Sequence, residues 1–457
     1  MSFNLITQYK MAQNGVVHAI FNPKGSGAVR IHLIPPKFRL FSKRIYAVII
    51  NGYYILPLGY SWAVLLANFL NEINPLAGEP LTEEKVNGLA AIAAQKTHKT
   101  FSQASVSLLD KDLRSMLEVF FDVAREHTPK MKIGEMSLRD YAKNMQAPHR
   151  MDLLVSSLTD DNGKWHCNQK CAFCYAQGEF NSKVKELSTN EWKKIIDNCK
   201  TAGICQLTFT GGEPTLRKDL CELIDHSKWF VTRLNTNGLL LTPKLCKDLY
   251  SVSLDSVQVT LYSHDPKVHA KLVGGNTENY MKTIDGIKNA LAAKLNVSIN
   301  TPLCKDNKDY IKTLKYLKEL GIRYVTCSGL ILKGSAKAEF KASDLSENEL
   351  YDVLKAGAKF CHDNDIEINF TSPGLVAKEK LYELNLAVPM CGACLSNMAI
   401  APNGDAIPCQ SWLDEEFGLG NMLTDAWKKI WNNPIAKNIR KMDEADSLSC
   451  PFRKRQS

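Results

Sequence analysis

Six short β-rich runs, separated by helical patterns, occupy the middle of the chain and restrict its fold more than any other feature. The runs lie at 151–159, 205–212, 230–238, 256–263, 295–303 and 324–331. Strands that alternate with helices form parallel βαβ units. The pattern predicts an α/β fold over residues 146–335, with a partial (β/α)6 barrel or a curved open sheet.

Three closely spaced cysteines follow the first run. Cys167, Cys171 and Cys174 have the spacing C-x-x-x-C-x-x-C, and Phe173 precedes the last of them. In sheets of this kind, ligands bind at the carboxyl ends of the strands. Structural zinc prefers four protein ligands, whereas three cysteines on a 4Fe–4S cluster leave one iron open to a substrate or cofactor. The trio therefore favours a cluster with one open iron.

Small and polar residues recur where the later runs end. The segment TFTGGEPTLR places Gly211, Gly212 and Glu213 after the second run, and LNTNG ends the third. Glycines allow a close approach of the backbone to a ligand, and a carboxylate accepts hydrogen bonds from an ammonium group. Thr260 and Asn300 end the fourth and fifth runs. A binding cleft is expected at this edge of the sheet.

These motifs together resemble the radical S-adenosylmethionine (SAM) enzymes over residues 151–335. The resemblance implies a 4Fe–4S cluster on the cysteine trio, with the amino and carboxylate groups of SAM on the open iron. It also implies further cofactor contacts, with Phe173 beside the adenine, Gly211, Gly212 and Glu213 at the methionyl amine, and Thr260 and Asn300 at the ribose or carboxylate. An electron donor such as flavodoxin or ferredoxin would reduce the cluster, and a 5′-deoxyadenosyl radical would abstract hydrogen from the substrate.

One position departs from the pattern of that family. Relatives often carry an arginine after the fourth strand that holds the SAM carboxylate, but the segment here reads YSHDPKVHAKLVGG. Lys271 is the nearest candidate. Its position on a predicted helix favours a solvated surface charge instead.

A second group of cysteines lies near the C-terminus, comprising Cys391, Cys394, Cys409 and Cys450. The stretch LSNMAIAPNGDAIPC predicts a β-hairpin that turns at 402–404 and brings thiolates together. Four cysteines also suit structural zinc. The tail resembles the SPASM and twitch extensions of radical SAM enzymes. A full SPASM extension has a further cysteine group for a second auxiliary cluster, but Arg453 stands here where its C-x-x-C would need a cysteine. The resemblance therefore implies one auxiliary 4Fe–4S cluster. The trio without Cys450 also resembles enzymes of molybdopterin biosynthesis, where three cysteines leave an open iron.

The N-terminal part, residues 1–145, contains an uncharged apolar run from Ile45 to Leu70. Asn51-Gly52 and Pro57 interrupt it, so strand, turn, strand and helix are expected rather than a membrane span. This order is compatible with an α+β winged-helix-like domain, similar to the leader-recognition domains of many peptide-modifying radical SAM enzymes. A leader peptide would add there as a strand beside the Ile45–Leu56 hairpin.

Charge and cysteine usage bear on partners and compartment. The chain has a formal net charge of +9, and its first 50 residues hold seven Lys and Arg with no Asp or Glu. An acidic leader peptide and a merely solvated basic face both fit this bias. The 14 cysteines and the absence of a visible signal peptide predict a reduced, cytoplasmic compartment. No nucleic-acid or membrane partner is expected.

The leading functional hypothesis is a radical SAM enzyme that modifies a ribosomally synthesised peptide by crosslinking, thioether formation, epimerisation or oxidation. The alternative is a radical SAM enzyme that acts on a small molecule in cofactor or haem biosynthesis. A non-catalytic Fe–S or zinc protein is a third class, against which the intact GGEP motif and open trio argue. The expected domains are 1–145, 146–335 and 336–457, the last carrying an Fe–S β-hairpin extension.

Overall fold

Two β-sheets organise the protein. The computed structural model describes residues 17–441 apart from 22–26, 37–44, 77–78, 80, 126, 128, 130–133, 135, 137–139, 142–144, 161, 178–183, 337–341 and 414–417. A four-stranded antiparallel sheet lies in the N-terminal part, and a nine-stranded sheet is built from the rest of the described chain.

The nine-stranded sheet contains all six predicted runs as neighbouring parallel strands. These are β5 (Arg150–Ser156), β6 (Gln206–Gly211), β7 (Val231–Thr236), β8 (Ser256–Thr260), β9 (Asn296–Pro302) and β10 (Tyr324–Ser328). The α/β fold with a curved parallel sheet is therefore confirmed.

Three later strands extend this sheet beyond the predicted six. A seventh parallel strand, β11 (Glu367–Phe370), adds beside β10, so the sheet continues past residue 335. At the other edge β12 (Asn397–Ile400) pairs in parallel with β5 and antiparallel with β13 (Ala406–Ile407). Gly404 in the connecting turn has a φ of 90°. The predicted hairpin is thus confirmed, and it is fused to the sheet.

Helices alternate with the parallel strands and cover one face of the sheet. The bounds are α4 Thr189–Ala202, α5 Leu220–His226, α6 Pro243–Ser251, α7 Pro266–Val273, α8 Thr277–Ala292, α9 Tyr310–Glu319, α10 Glu347–His362, α11 Lys378–Glu383, α12 Trp427–Trp431 and α13 Pro434–Arg440. Val257 and Val259 of β8 are buried in the core that the helices form, while Gln258 points to the opposite, concave face. This period-2 pattern leaves polar side chains on the concave face.

The N-terminal sheet has the order β1 (Val17–Phe21), β2 (Val29–Ile34), β3 (Tyr46–Ile50) and β4 (Tyr54–Leu58). Helices α1 (Tyr60–Ile73), α2 (Glu83–Thr100) and α3 (Val106–Ala124) follow it. Asn51 and Gly52 both have positive φ, 49° and 65°, which confirms the predicted hairpin turn. No helix in the described part of the chain combines the length and apolar character that a membrane span needs.

Both faces of this sheet are buried, because its residues alternate between two cores. Ile31 and Val48 pack with the three N-terminal helices. Ala47, Ile49 and Ile55 instead belong to the core of the nine-stranded sheet. The N-terminal part is therefore packed onto the barrel rather than joined to it only by a linker.

An ion pair buried between the two sheets fixes this packing. The Arg30 guanidinium is 1% exposed and pairs with Asp255, which precedes β8. Arg30 also donates to the carbonyl oxygens of Lys228 and Ser253 at 3.2 and 3.3 Å. The second oxygen of Asp255 accepts from the Thr232 backbone N–H at 2.7 Å. The pair is thus fully hydrogen-bonded, as a buried pair must be.

Arg30 accounts for one of the seven basic residues in the first 50, so it does not contribute to a basic surface. The other six are Lys10, Lys24, Lys37, Arg39, Lys43 and Arg44, and they lie outside the described residues. The predicted basic face therefore stays a prediction, because its six remaining residues lie outside the described part of the chain.

Arg30→Met should destabilise the protein by about 3–5 kcal/mol, because Asp255 would be left buried and uncompensated. Adding Asp255→Asn should recover part of the loss, since the amide can still accept from Thr232. Thermal unfolding of the three proteins checks the order. The matched control is Lys244→Gln, which breaks the exposed Lys244–Asp248 pair and should leave the unfolding temperature almost unchanged, because solvent screens such pairs. Equal shifts for Arg30→Met and the control would contradict the buried role.

Candidate active site and cysteine centres

The first three cysteines lie in the connection between β5 and α4, at the carboxyl end of the sheet. Backbone hydrogen bonds hold this connection, which we call the cysteine loop (residues 166–177). Lys170 N–H donates to Val273 O at 3.1 Å, and Ala172 N–H donates to Leu272 O at 2.9 Å. The end of α7 therefore fixes the middle of the loop.

Two glycines press against the cysteine loop from either side. Gly274, which ends α7 with a φ of 62°, lies so close to Lys170 that an added Cβ would collide with the Lys170 carbonyl oxygen. Gly334, in the segment after β10, lies in the same way against the carbonyl oxygen of Cys174. Ser335 N–H donates to that oxygen at 3.0 Å. The fold thus forms a tight cradle around the loop.

The three thiols influence one another. Burial raises the pKa of Cys167 to about 12, and the neighbouring Glu213 and Cys174 add to the rise. Burial also raises the pKa of Cys171 well above its usual range, with further contributions from Cys174 and Cys167. Thiolates at these positions need a nearby positive charge to be stable. Gln169 Nε2 is buried beside them and has no partner among the described residues.

This geometry suits an iron–sulfur cluster better than one metal ion. In the described part of the chain, no three Cys, His, Asp or Glu side chains converge on a single-ion position. A zinc ion would need its thiolates about 2.3 Å from one centre, whereas cysteines that hold a 4Fe–4S cluster each bind a different iron. The thiol chemistry and the cradle therefore fit a cluster.

A buried carboxylate connects the strand ends next to the cysteine loop. Glu213 is 1% exposed. Its Oε1 accepts from Thr215 N–H at 3.0 Å, Thr215 Oγ1 at 2.5 Å and Thr236 Oγ1 at 2.7 Å. Its Oε2 accepts from Asn237 N–H at 2.8 Å and from no other residue in the described part of the chain. The side chain of Asn237 in turn donates to Asn168 in the cysteine loop at 2.6 Å.

Oε2 of Glu213 consequently keeps room for one more donor, while Oε1 is saturated. Burial raises the pKa of Glu213, and the hydrogen bonds from Asn237, Thr215 and Thr236 oppose that rise. An ammonium group at Oε2 would further stabilise the charged carboxylate.

Gly211 and Gly212 are explained by packing within the sheet. A Cβ at Gly211 would collide with the carbonyl oxygen of Ser156, and one at Gly212 would lie 2.6 Å from that of Ser157. Gly211 also has a φ of 136°. The pair thus lets the end of β6 lie against the end of β5, a reason that differs from the ligand approach expected from sequence.

The other predicted cofactor contacts lie beside the cysteine loop, in the case of Phe173, and on strands β8 and β9, in the case of Thr260 and Asn300. Phe173 is 8% exposed and packs with Tyr262, Leu272 and Cys304, so it forms an apolar wall beside the cysteine loop. Thr260 and Asn300 are register partners on β8 and β9. Asn300 Oδ1 accepts from Thr326 at 2.9 Å.

The structure agrees with the expectation for Lys271, an exposed side chain that pairs with Asp306 at 2.9 Å and is a surface charge. Seven cysteines lie outside the two groups. Six of them are buried, namely Cys199, Cys205, Cys246, Cys304, Cys327 and Cys361, and Cys221 is partly buried.

The second cysteine group surrounds the β12–β13 hairpin. Cys394 N–H donates to the carbonyl oxygen of Pro408 at 3.1 Å, which places it next to Cys409. Burial raises the pKa of Cys394 to about 12, Arg440 opposes the rise, and the neighbouring Cys391 adds to it. Arg440 of α13 donates to the Cys394 carbonyl at 3.3 Å, and its guanidinium lies 3.8 Å from the ring centroid of Trp431. Cys450 lies outside the described residues.

Tyr175 lies between the two cysteine groups. It packs with Cys174 and Cys167 of the first group. Burial raises the pKa of its phenol, and Cys174, Asp152 and Cys409 add to the rise. The Tyr175 phenol is therefore close enough to both cysteine groups for a thiolate of either to affect its pKa.

Sequence reasoning missed the residues that hold these elements in place. Gly274 and Gly334 clamp the cysteine loop, and Asn168 receives a hydrogen bond from Asn237. The glycine pair that follows α7, Gly274-Gly275, was the one available signal, since glycine commonly ends a helix. No local pattern marks Gly334 or Asn168.

Two family descriptions match the chain. Residues 166–345 match the Radical SAM superfamily, and residues 391–451 match the iron–sulfur cluster-binding domain called SPASM. Together they cover more than half of the chain.

Among curated proteins, mycofactocin maturase MftC of Mycolicibacterium smegmatis is 27% identical over 294 residues, covering 62% of this chain and 72% of that protein. PqqA peptide cyclase of Bradyrhizobium diazoefficiens is 27% identical over 286 residues, covering 60% and 72%. A probable GTP 3′,8-cyclase of Methanopyrus kandleri is 36% identical over 155 residues, but these cover only 34% of this chain and 48% of the cyclase.

Among solved structures, Streptococcus suis SuiB bound to precursor peptide SuiA has the same fold. The TM-score is 0.60 at 15% identity, and 87% of each chain is covered. This coverage of the fold goes well beyond the two matched family regions. The cysteine loop at the carboxyl ends of the strands, the hairpin centre and these matches lead to one conclusion: the chain belongs to the radical SAM superfamily and is a radical SAM enzyme with a SPASM domain.

Proposed function

We propose that this enzyme modifies a ribosomally synthesised peptide by radical chemistry. The observation that carries the proposal is a combination of three features in one chain. The cysteine loop lies beside the buried Glu213, a second cysteine group surrounds the β12–β13 hairpin, and an antiparallel sheet lies in the N-terminal part. Two similar curated proteins are named as a maturase and a peptide cyclase. The fold of a protein solved with its precursor peptide bound covers 87% of this chain.

In this proposal Cys167, Cys171 and Cys174 hold a 4Fe–4S cluster that leaves one iron for SAM. When bound, this pair supplies a 5′-deoxyadenosyl radical that removes a hydrogen atom from the substrate. Glu213 Oε2 accepts from the methionyl ammonium, with Gly211 and Gly212 shaping the backbone beside it. Phe173 provides an apolar wall for the adenine, and Thr260 and Asn300 provide polar contacts for the ribose or carboxylate.

The second centre holds one auxiliary 4Fe–4S cluster in this proposal. Cys391, Cys394 and Cys409 are its ligands from the described chain, and Cys450 is the fourth. Arg440 supports the centre because it donates to the Cys394 carbonyl and keeps positive charge near the thiolates. A flavodoxin or ferredoxin is the expected electron donor, and the cytoplasm is the expected compartment.

The N-terminal sheet offers an edge for a leader peptide. The turn of the predicted hairpin is occupied, because Gly52 O accepts from Gln206 Nε2 at 3.0 Å and contacts His149 Nε2. The outer edge of β4 is partly occupied as well, since Met136 N–H donates to Ile55 O at 2.8 Å. The outer edge of β1 has no backbone hydrogen bond to any other described residue. We therefore assign strand addition to β1.

One observation favours the small-molecule alternative, in which the substrate belongs to cofactor biosynthesis. The segment similar to a probable GTP 3′,8-cyclase has the highest identity among the relatives described above. However, it covers about a third of this chain. Formation of 5′-deoxyadenosine with a nucleotide substrate and not with a peptide would favour this alternative.

The reconstituted protein should contain about eight iron atoms per chain, as two 4Fe–4S clusters require. Gly274→Ala should lower the count to about four, because its Cβ would push the cysteine loop away through Lys170. Gly321→Ala is the matched control, since Gly321 also has a positive φ, 86°, but nothing lies within 4 Å of its Cβ position. Iron analysis of the three proteins measures this.

An iron count near four in the unmodified protein, or one zinc per chain, would contradict the second cluster. Equal iron in Gly274→Ala and Gly321→Ala would contradict the role of the cradle.

Glu213→Ala should weaken SAM binding about ten- to hundredfold, because a charge-assisted hydrogen bond to the ammonium is lost. Iron content should stay the same, since Glu213 is not a cluster ligand. Isothermal titration with SAM measures the change. Thr215→Val removes one donor to Oε1 but keeps the carboxylate, so its effect should be much smaller. Unchanged SAM binding in Glu213→Ala would refute the assignment.

The direct test of function uses the full chain, SAM, a reductant and candidate precursor peptides encoded by genes near its own. Mass spectrometry should show a changed peptide, with 5′-deoxyadenosine formed in proportion. Val17→Pro and His18→Pro test the strand edge, because neighbouring residues of an edge strand direct their N–H groups to opposite sides. A proline that removes an inward N–H breaks a bond to β2 and should lower the unfolding temperature. A proline that removes an outward N–H should leave that temperature unchanged but weaken peptide binding at least tenfold.

A peptide that stays unmodified while SAM is cleaved would reject the peptide function. Unchanged peptide binding in the stable proline variant would reject strand addition at β1 but would leave the peptide function standing.

A further inference from the structure

A cavity of about 420 Å³ lies at the amino ends of the barrel strands, opposite the cysteine loop. Gly52 and Tyr53 of the β3–β4 turn line one side of it. Arg150, Gln206 and Arg233, near the starts of β5, β6 and β7, line the other. We call this cavity the barrel floor. Nothing in the proposed SAM chemistry uses it.

The barrel floor carries an excess of positive charge. Arg150 Nε pairs with Asp152 at 2.9 Å. Arg233 is exposed to the cavity and has no ion-pair partner among the described residues. Its one hydrogen bond in that part of the chain is a weak one from Nε to Ser256 Oγ at 3.4 Å. The two terminal nitrogens of its guanidinium are therefore available to an anion.

Polar side chains continue from the floor toward the carboxyl ends of the strands. Asn235 Oδ1 and Ser298 Oγ are buried on the concave face without a partner in the described chain. Gln258 donates to Thr326 at 3.2 Å, and Thr326 donates to Asn300 at 2.9 Å. Buried polar atoms of native proteins are usually paired. The two atoms thus leave hydrogen-bonding capacity along this face.

The floor and the proposed radical site are separated by the length of one strand. Arg233 precedes Thr236 by three positions on β7, which corresponds to about 10 Å at roughly 3.3 Å per residue. Thr236 donates to Glu213, the residue assigned to SAM. An extended peptide with one group held at Arg233 would therefore reach the level of Thr236 with about three residues.

We propose that Arg233 binds a carboxylate of the substrate peptide at the barrel floor and so determines which residue meets the radical; this rests on the proposed peptide function. The guanidinium presents a planar pair of donors that matches both oxygens of a carboxylate. The carboxylate belongs either to an Asp or Glu side chain or to the C-terminus of the peptide. Arg233 is a specificity-determining residue in this assignment, and takes no part in SAM cleavage.

Steady-state kinetics with a candidate precursor peptide encoded near the gene test the proposal. Arg233→Gln should raise the KM for the peptide about ten- to hundredfold, and Arg233→Lys should restore part of the loss. Arg323→Gln is the matched control, because Arg323 lies just before β10 outside the cavity lining; it should leave KM unchanged. Three kinds of altered peptide identify the source of the carboxylate: peptides with Asp→Asn, with Glu→Gln, or with a C-terminal amide. The peptide that lacks the bound carboxylate should raise KM with the unmodified enzyme as much as Arg233→Gln raises it with the unaltered peptide.

A second measurement needs no turnover. Phenylglyoxal labels accessible arginines, and peptide mapping reports the label at Arg233. N-acetylglutamate should slow labelling of Arg233 but not of Arg323, and neutral N-acetylglutamine should slow neither. If N-acetylglutamate protects Arg233 from labelling but no peptide is modified in the turnover assay, the peptide function is rejected and the carboxylate site is retained. Normal KM in Arg233→Gln, or equal labelling with both additives, would overturn the proposal.

Discussion

The buried carboxylate of Glu213 holds together the carboxyl edge of the sheet, next to the cysteine loop. It accepts hydrogen bonds from Thr215, Thr236 and Asn237, which lie at or just beyond the ends of two neighbouring strands. Asn237 extends the network to Asn168 in the cysteine loop. A buried charge is tolerated only when it is well paired, so the network fixes the strand ends and the loop in one arrangement. The position of the cysteines follows from that arrangement.

A parallel sheet with one apolar and one polar face explains the rest of the site. Helices bury the outward side chains, and the concave face keeps Gln258, Asn300 and Thr326 for hydrogen bonding. The carboxyl ends carry the cysteine loop, whereas the amino ends carry the unpaired Arg233. In the proposed function, the carboxyl ends hold the SAM chemistry and the amino ends bind a carboxylate of the substrate.

Attachment of the N-terminal sheet shapes the amino ends of the barrel. The sheet is buried on both sides, and the Arg30–Asp255 pair holds it against the barrel. Its hairpin turn lines one side of the barrel floor, where Gly52 O accepts from Gln206 Nε2. Within the N-terminal sheet, the outer edge of β1 has no backbone hydrogen bond to other described residues.

The sequence by itself determined the local elements and the cofactor class. Six strands, the Asn51-Gly52 turn, the C-terminal hairpin and the two cysteine groups follow from short-range patterns, because hydrophobic periodicity and turn residues act within a few positions. The tertiary structure alone decided the contacts between distant segments. These include the clamp of Gly274 and Gly334 on the cysteine loop, the Arg30–Asp255 pair, and the addition of β11 and β12 to the sheet edges. Such contacts depend on how strands are ordered in space, and a single sequence carries no local signal for that order.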